Sequence, residues 1–216
     1  MKKSLPCSLR ECEEQLNSEN YEMESKSCEK RRILLHSCCG PCSTACIERL
    51  LPDYKVTIFY YNPNITDRDE YEKRKANQIK FIEAFNETVP EEDKVVFIEG
   101  EYLPEDFFDV AQGLEDCPEG GERCTECFKL RLDRTAKAAI AMGYPIFGTT
   151  LTVSPHKNYQ LISAIGTKLG EIYEIEFLDM DFKKKAGFQR SIELSKKYEL
   201  YRQNYCGCEF SKWEDK

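Results

Sequence analysis

The chain carries twelve cysteines, well above average usage. Most fall in close groups: Cys38-Cys39-x-x-Cys42, Cys117, Cys124-x-x-Cys127 and Cys206-x-Cys208. Thiols three residues apart on a helix share one face, so a CxxC pair at a helix start can turn both sulfurs toward one metal. One such pair says little; two pairs and a CxC together point to a shared metal centre. Sulfur donors suit structural zinc and iron–sulfur clusters alike. Two features favour iron. The first group lies where a ligand would bind, where a purely structural metal has little to do, and the clustered thiols outnumber those one zinc can hold. Cys206 and Cys208 flank a single glycine. A disulfide across so short a loop is strained and labile, so the pair reads either as a two-electron store or as two further metal ligands.

The letters CGPC at positions 39–42 also suggest a thioredoxin-like exchanger. The flanks oppose this: no βαβ lead-in precedes them, and Cys38 stands where a tryptophan is expected. Cys46, one helical turn beyond Cys42, is a core thiol by its apolar company. Cys7, Cys12 and Cys28 are scattered through a polar, glutamate-rich start and read as accessory. No apolar leader follows the N-terminal lysines, and no window approaches the ~18 apolar residues of a membrane span. A cytoplasmic chain is therefore expected, and there clustered cysteines bind metal or do redox chemistry more often than they staple a fold. The net charge of −8 excludes broad, non-specific coating of nucleic acid but not a local basic patch.

The elements that must position these thiols alternate between strand and helix. Residues 1–30 read as an acidic extension, and 31–216 as a single α/β domain. Short apolar runs at Ile33–His36, Val56–Tyr61, Val95–Ile98, Pro145–Leu151 and Ile172–Phe177 predict five strands. Helical spacing predicts helices over 41–51, over 67–86 with Asp67 as cap, over 125–142, over 156–169 and over 185–198. Strand–helix alternation with short links implies a mostly parallel sheet with helices on both faces. Ligands in such sheets sit beyond the carboxyl ends of the strands. That rim holds Ser37 to Cys42, Asn62 to Ile65 (with Asn64) and Thr150 to His156, with Lys157 and Asn158 beside it. Proton donors near it are His36, Tyr60, Tyr61 and Asp181. Lys183, Lys184, Lys185, Arg190, Lys196, Lys197 and Arg202 concentrate positive charge just before the CxC pair. They read either as a solvated helix face or as a phosphate-binding surface for RNA.

The stretches LLHSCCGPCS, YYNPNI followed by EYEKRK, ERCTECFKLRL, FGTTLTVSPHKN and GFQRSIELSKKYELYRQNYCGCEFS together resemble the epoxyqueuosine reductases of the QueH type, over about residues 32–212. The resemblance implies a HUP-like (adenine nucleotide α-hydrolase-like) α/β fold. It implies cobalamin-independent reduction of epoxyqueuosine to queuosine at the wobble position of tRNA. It also implies a [4Fe–4S] cluster on Cys38, Cys39, Cys124 and Cys127, with a second, mononuclear iron in some members. Cys206 and Cys208 would then be a redox-active pair or ligands of that iron, and Cys42 matches the pattern without an assigned role. Expected substrate contacts are Lys184, Lys185, Arg190, Asn64 and His156, and the expected partners are tRNA and an electron donor. The rival from another class is a zinc-stabilised RNA- or nucleotide-binding module without redox activity.

Overall fold

The computed structural model describes residues 29–211. The extension expected over residues 1–30, with Cys7, Cys12 and Cys28, lies outside them except for its last two residues. From Arg31 the chain forms one compact unit. Its centre is a five-stranded parallel sheet of β1 (Arg31–His36), β2 (Tyr54–Tyr60), β3 (Val96–Glu99), β4 (Ile146–Thr149) and β5 (Glu176–Phe177), in the order β3-β2-β1-β4-β5. The helices are α1 (Gly40–Leu50), α2 (Arg68–Asn86), α3 (Pro104–Ala111), α4 (Glu122–Ala141), α5 (Tyr159–Tyr173) and α6 (Gly187–Lys197).

Alternation along β1 divides the core in two, because successive side chains of a strand face opposite sides. Ile33 and Leu35 pack with Cys46, Ile47 and Leu50 of α1 and Phe81 and Ile82 of α2. Leu34 packs on the other side with Ala136 and Ala139 of α4 and with Phe147. β1 is buried on both faces, as a central parallel strand must be. The chain runs outward from β1 to β2 and β3, then returns to place β4 on the free side of β1. The crevice between the ends of β1 and β4 is thus the switch point of the sheet, where ligands bind in this architecture. The doubly covered parallel sheet agrees with the HUP-like expectation.

Two expected strands differ. Ile172 and Tyr173 are the last residues of α5, not strand, and β5 is only Glu176–Phe177. β4 ends at Thr149, and Thr150–Val153 coil into a 3₁₀ turn capped by the Thr149 hydroxyl. That turn brings the following loop back over the switch point.

Candidate metal centre

The loop from β1 into α1 is fixed by its own small residues. The Ser37 hydroxyl donates to Gln78 Oε1 at 2.8 Å, and Gln78 Nε2 donates to Ser43 Oγ at 2.8 Å. Gly40 sits so close to α2 that a Cβ there would lie 2.7 Å from the Asn77 carbonyl oxygen. Pro41 occupies the first turn of α1, where its missing N–H costs nothing. The glycine and proline of CGPC therefore serve helix packing and helix initiation. Cys39 is the N-cap of α1 and lends no side-chain cap, which leaves its sulfur for other work.

Cys38, Cys39 and Cys42 form a triad whose sulfurs all lie within 4.8 Å of one another, with Cys38 and Cys39 Sγ 3.9 Å apart. Hydrogen bonds from Cys39 and Cys42 hold the Cys38 thiol well below its ordinary range, helped by Lys157 and Arg131. The helix N-terminus favours negative sulfur in the same way. Cys124 and Cys127 stand on the first turns of α4. Cys124 shares an apolar cluster with Cys38, Cys39 and Cys42; Cys127 shares one with Cys208. Burial pushes the free Cys127 thiol up to about 12 against the pull of Arg131, and a metal bound there would displace its proton. None of the nine described cysteines is in a disulfide, and Cys206 and Cys208 are free thiols. Cys46 is fully buried in the α1–α2 core.

Cationic charge surrounds the sulfurs. Arg131 of α4 is buried, 1% exposed, with no carboxylate among its hydrogen-bond partners. It donates to Asn62 Oδ1 at 2.7 Å and to His36 Nε2 at 3.3 Å, and its third nitrogen lies 4.0 Å from Cys127 Sγ. Against the cost of burial, Cys127, Cys38 and Cys206 favour its charged form when their sulfurs are ionised. Lys157, half-buried, is likewise held charged by Cys206, Cys38 and Cys42. A buried cation without a carboxylate is costly unless another anion balances it. Thiolates holding a metal would be that anion. Two sulfurs also accept N–H groups: Gln203 Nε2 lies 3.0 Å from Cys39 Sγ, and the Gly120 backbone N–H lies 3.2 Å from Cys124 Sγ. The donor set fits a thiolate-held metal group.

The CxC turn is built as firmly. Gly207 has φ +115°, and a Cβ there would meet Ile65 at 2.9 Å and the Arg74 guanidinium at 3.1 Å. Arg74, itself buried and paired with Glu70 at 2.6 Å, donates to the carbonyls of Cys206 and Tyr205 at 3.0 and 3.2 Å.

Beside the triad opens a cavity of about 330 Å³, walled by Cys38, Cys42, Cys206, His156, Lys157 and Tyr205 among others. It is large enough for a nucleobase-sized group. Of the expected substrate contacts, His156 lines this cavity. Asn64 is buried with an unpartnered Oδ1 and is not on the wall. Lys185 and Arg190 line a second surface cavity that shares no residue with the first, and Arg190 is paired to Glu48 and Glu193.

None of the four expected proton donors lines the triad cavity. His36 is fully buried, 3.0 Å from Thr149 Oγ1, and burial with the neighbouring Arg131 lowers its pKa to about 3. Tyr60 donates to the Tyr71 carbonyl and Tyr61 to Asp106. Asp181 accepts from the Lys183 backbone N–H. Arg131, Arg74 and Gln203 escaped the sequence reading. Only Arg131 left a signal, one helical turn after Cys127 on the same face.

The model of the family described as epoxyqueuosine reductase QueH matches residues 33–214. A protein of that name from Staphylococcus epidermidis is 45% identical over 185 residues, 85% of this chain and 77% of the relative. One from Streptococcus pyogenes is 41% identical, over 83% of this chain and 69% of the relative. One from Thermotoga maritima is 36% identical, over 83% and 89%. With the triad, the paired cysteines of α4 and the clamped CxC all inside the matched span, the chain belongs to the epoxyqueuosine reductase QueH family of oxidoreductases.

Proposed function

We propose that this chain reduces epoxyqueuosine to queuosine at the wobble position of tRNA, in the cytoplasm and without cobalamin. The observation that carries the reading is the thiol triad at the switch point, opening onto a base-sized cavity and balanced by Arg131 and Lys157. Cys38, Cys39, Cys124 and Cys127 hold a [4Fe–4S] cluster. Their positions at the N-termini of α1 and α4 and the shared apolar cluster of Cys38, Cys39 and Cys124 support this set. Cys42 is available to an additional mononuclear iron. When bound, such groups supply single electrons and a Lewis acid for the epoxide oxygen.

The remaining chemistry falls to the chain. Loss of the epoxide oxygen as water, leaving the alkene, takes two electrons and two protons. Oxidation of the Cys206 and Cys208 thiols to a disulfide releases the same number of each. Cys206 is on the cavity wall, and its partner is one glycine away in a turn that Arg74 holds. An external electron donor then restores the dithiol. Lys157 neutralises charge that builds on the substrate oxygen, and Tyr205 gives the base an aromatic wall to stack on. Lys184, Lys185 and Arg190, with His156 at the mouth, contact the phosphates and sugars of the anticodon loop.

The test is anaerobic purification followed by metal analysis and turnover of tRNA that carries epoxyqueuosine, read by mass spectrometry of the nucleosides. A brown protein containing iron that forms queuosine is expected. A colourless protein with stoichiometric zinc, no iron and no turnover would establish the zinc-module reading instead.

A further inference from the structure

Gln203 lies in the loop between α6 and the CxC turn, on the wall of the triad cavity. Among the described residues its amide has one hydrogen-bond partner, the Cys39 sulfur, 3.0 Å from Nε2. The other amide atom, Oε1, is buried and has no hydrogen-bond partner among the described residues. A buried carbonyl oxygen without a donor weakens the fold, and an orphan of this kind in a native structure calls for a functional account. A methionine or leucine would fill the space without that cost.

A metal-bound Cys39 sulfur would fix the amide in the orientation seen, Nε2 toward the sulfur. A protonated Cys39 thiol could face either end of the amide. A metal-bound thiolate accepts hydrogen bonds and donates none, so it selects the N–H end and repels the carbonyl. Hydrogen bonds to cluster sulfurs are among the determinants of cluster potential, because they withdraw charge and favour the reduced, more negative state. Gly120, just ahead of α4, does the same for Cys124 through a backbone N–H, which no side-chain substitution removes. Gln203 is a side-chain donor, as Arg131 is to Cys127, and it belongs to the loop that carries Cys206.

We propose that Gln203 is a positioning residue: its side-chain N–H bonds the metal-bound sulfur of Cys39, raises the reduction potential of the centre and ties the CxC loop to it. The inference rests on the metal-centre reading above and adds to it a residue through which the loop bearing the dithiol senses the state of the centre.

The test compares the anaerobically isolated wild type with Gln203→Met, which keeps the length and removes the donor, and Gln203→Glu, which keeps the shape and adds charge. Metal content and thermal stability are expected to stay at or above wild type in Gln203→Met. The midpoint potential, measured by redox titration of the visible absorbance, shifts to more negative values, further still in Gln203→Glu. An unchanged potential in a fully loaded Gln203→Met protein would overturn the proposal. Should the wild type hold zinc and no iron, the iron–sulfur reading alone fails. The bond is then read by replacing zinc with Co(II), whose thiolate charge-transfer band must move between wild type and Gln203→Met. A band that does not move overturns the proposal, and a chain that binds no metal overturns both.

Discussion

Replacing Arg131 with methionine isolates the balance between buried cation and sulfur, because methionine keeps most of the apolar stem and removes the guanidinium. In metal-free protein the change strands one buried acceptor, Asn62 Oδ1, which accepts at 2.7 Å, while His36 Nε2 keeps the Tyr61 carbonyl as a partner at 3.1 Å. The stranded group costs ~1–3 kcal/mol, offset in part because a charge no longer has to be kept out of water. A net loss of about 1–3 kcal/mol is expected. With metal bound, the sulfurs become anions and the loss grows. Unit charges separated by the 4.0 Å between Arg131 and Cys127 Sγ attract by ~4 kcal/mol at an effective dielectric of ~20. Allowing for screening, metal affinity should fall roughly 10- to 1,000-fold. The assay is urea unfolding of metal-free wild type and variant, paired with chelator competition on the loaded proteins. If Arg131→Met lowers stability but leaves metal affinity unchanged, the guanidinium serves only Asn62 and His36, and the electrostatic argument for the centre fails.

Gly207→Ala places a Cβ at φ +115° against Ile65 and Arg74; it should cost ~1–3 kcal/mol and lower Tm by about 2–10 °C, and an unchanged Tm would show that the turn tolerates a side chain. Cys206→Ser should keep iron and colour but abolish turnover, whereas loss of colour would move Cys206 into the ligand set. Lys184→Glu with Lys185→Glu should weaken tRNA binding and flatten its salt dependence; equal affinity at low and high salt in both proteins would leave these lysines as plain surface. His36, with a pKa of about 3, should show neutral-ring NMR signals throughout about pH 5–8, and a midpoint in that window would contradict its burial beside Arg131. Its folded pKa lies below the unfolded 6.5, so the unfolded chain takes up the proton first. Stability should therefore fall as pH drops from 6.5 toward 3, by up to ~1.4 kcal/mol per unit.

Local signals made much of the fold legible. Asp67 announced the start of α2, where its carboxylate accepts from the N–H groups of Asp69 and Glu70. The apolar runs of β1 and β2 needed no context. β5 was misread because Gly170 resembles a helix stop and Ile172 resembles strand. In fact Gly166 and Gly170 lie inside α5 because Phe177 and the Ile175 carbonyl press against that face, a tertiary demand that no local window contains. The thiol groups were visible because CxxC spacing is itself local geometry. Arg131, Arg74 and Gln203 were not, since each acquires its meaning from an element far away in sequence. Lys185 and Arg190 show the converse: charge that clusters in sequence spreads over a different cavity from the one beside the triad.

The strand order also sets a timetable for assembly. β1 pairs with β2, its neighbour in sequence, and with β4, more than a hundred residues downstream. Closing the short loop comes first, because contacts between distant segments carry the larger entropic cost and form late. The triad at the start of α1 therefore takes shape in the nascent β1–α1–β2 unit before α4, Lys157 and the CxC turn arrive to cover it. During that interval its three thiols have no lid and are open to adventitious metals and oxidants. Synthesis under oxidising or zinc-rich conditions should accordingly yield a misloaded fraction that later iron supply does not rescue, so the history of the chain during folding governs how much active centre it can hold.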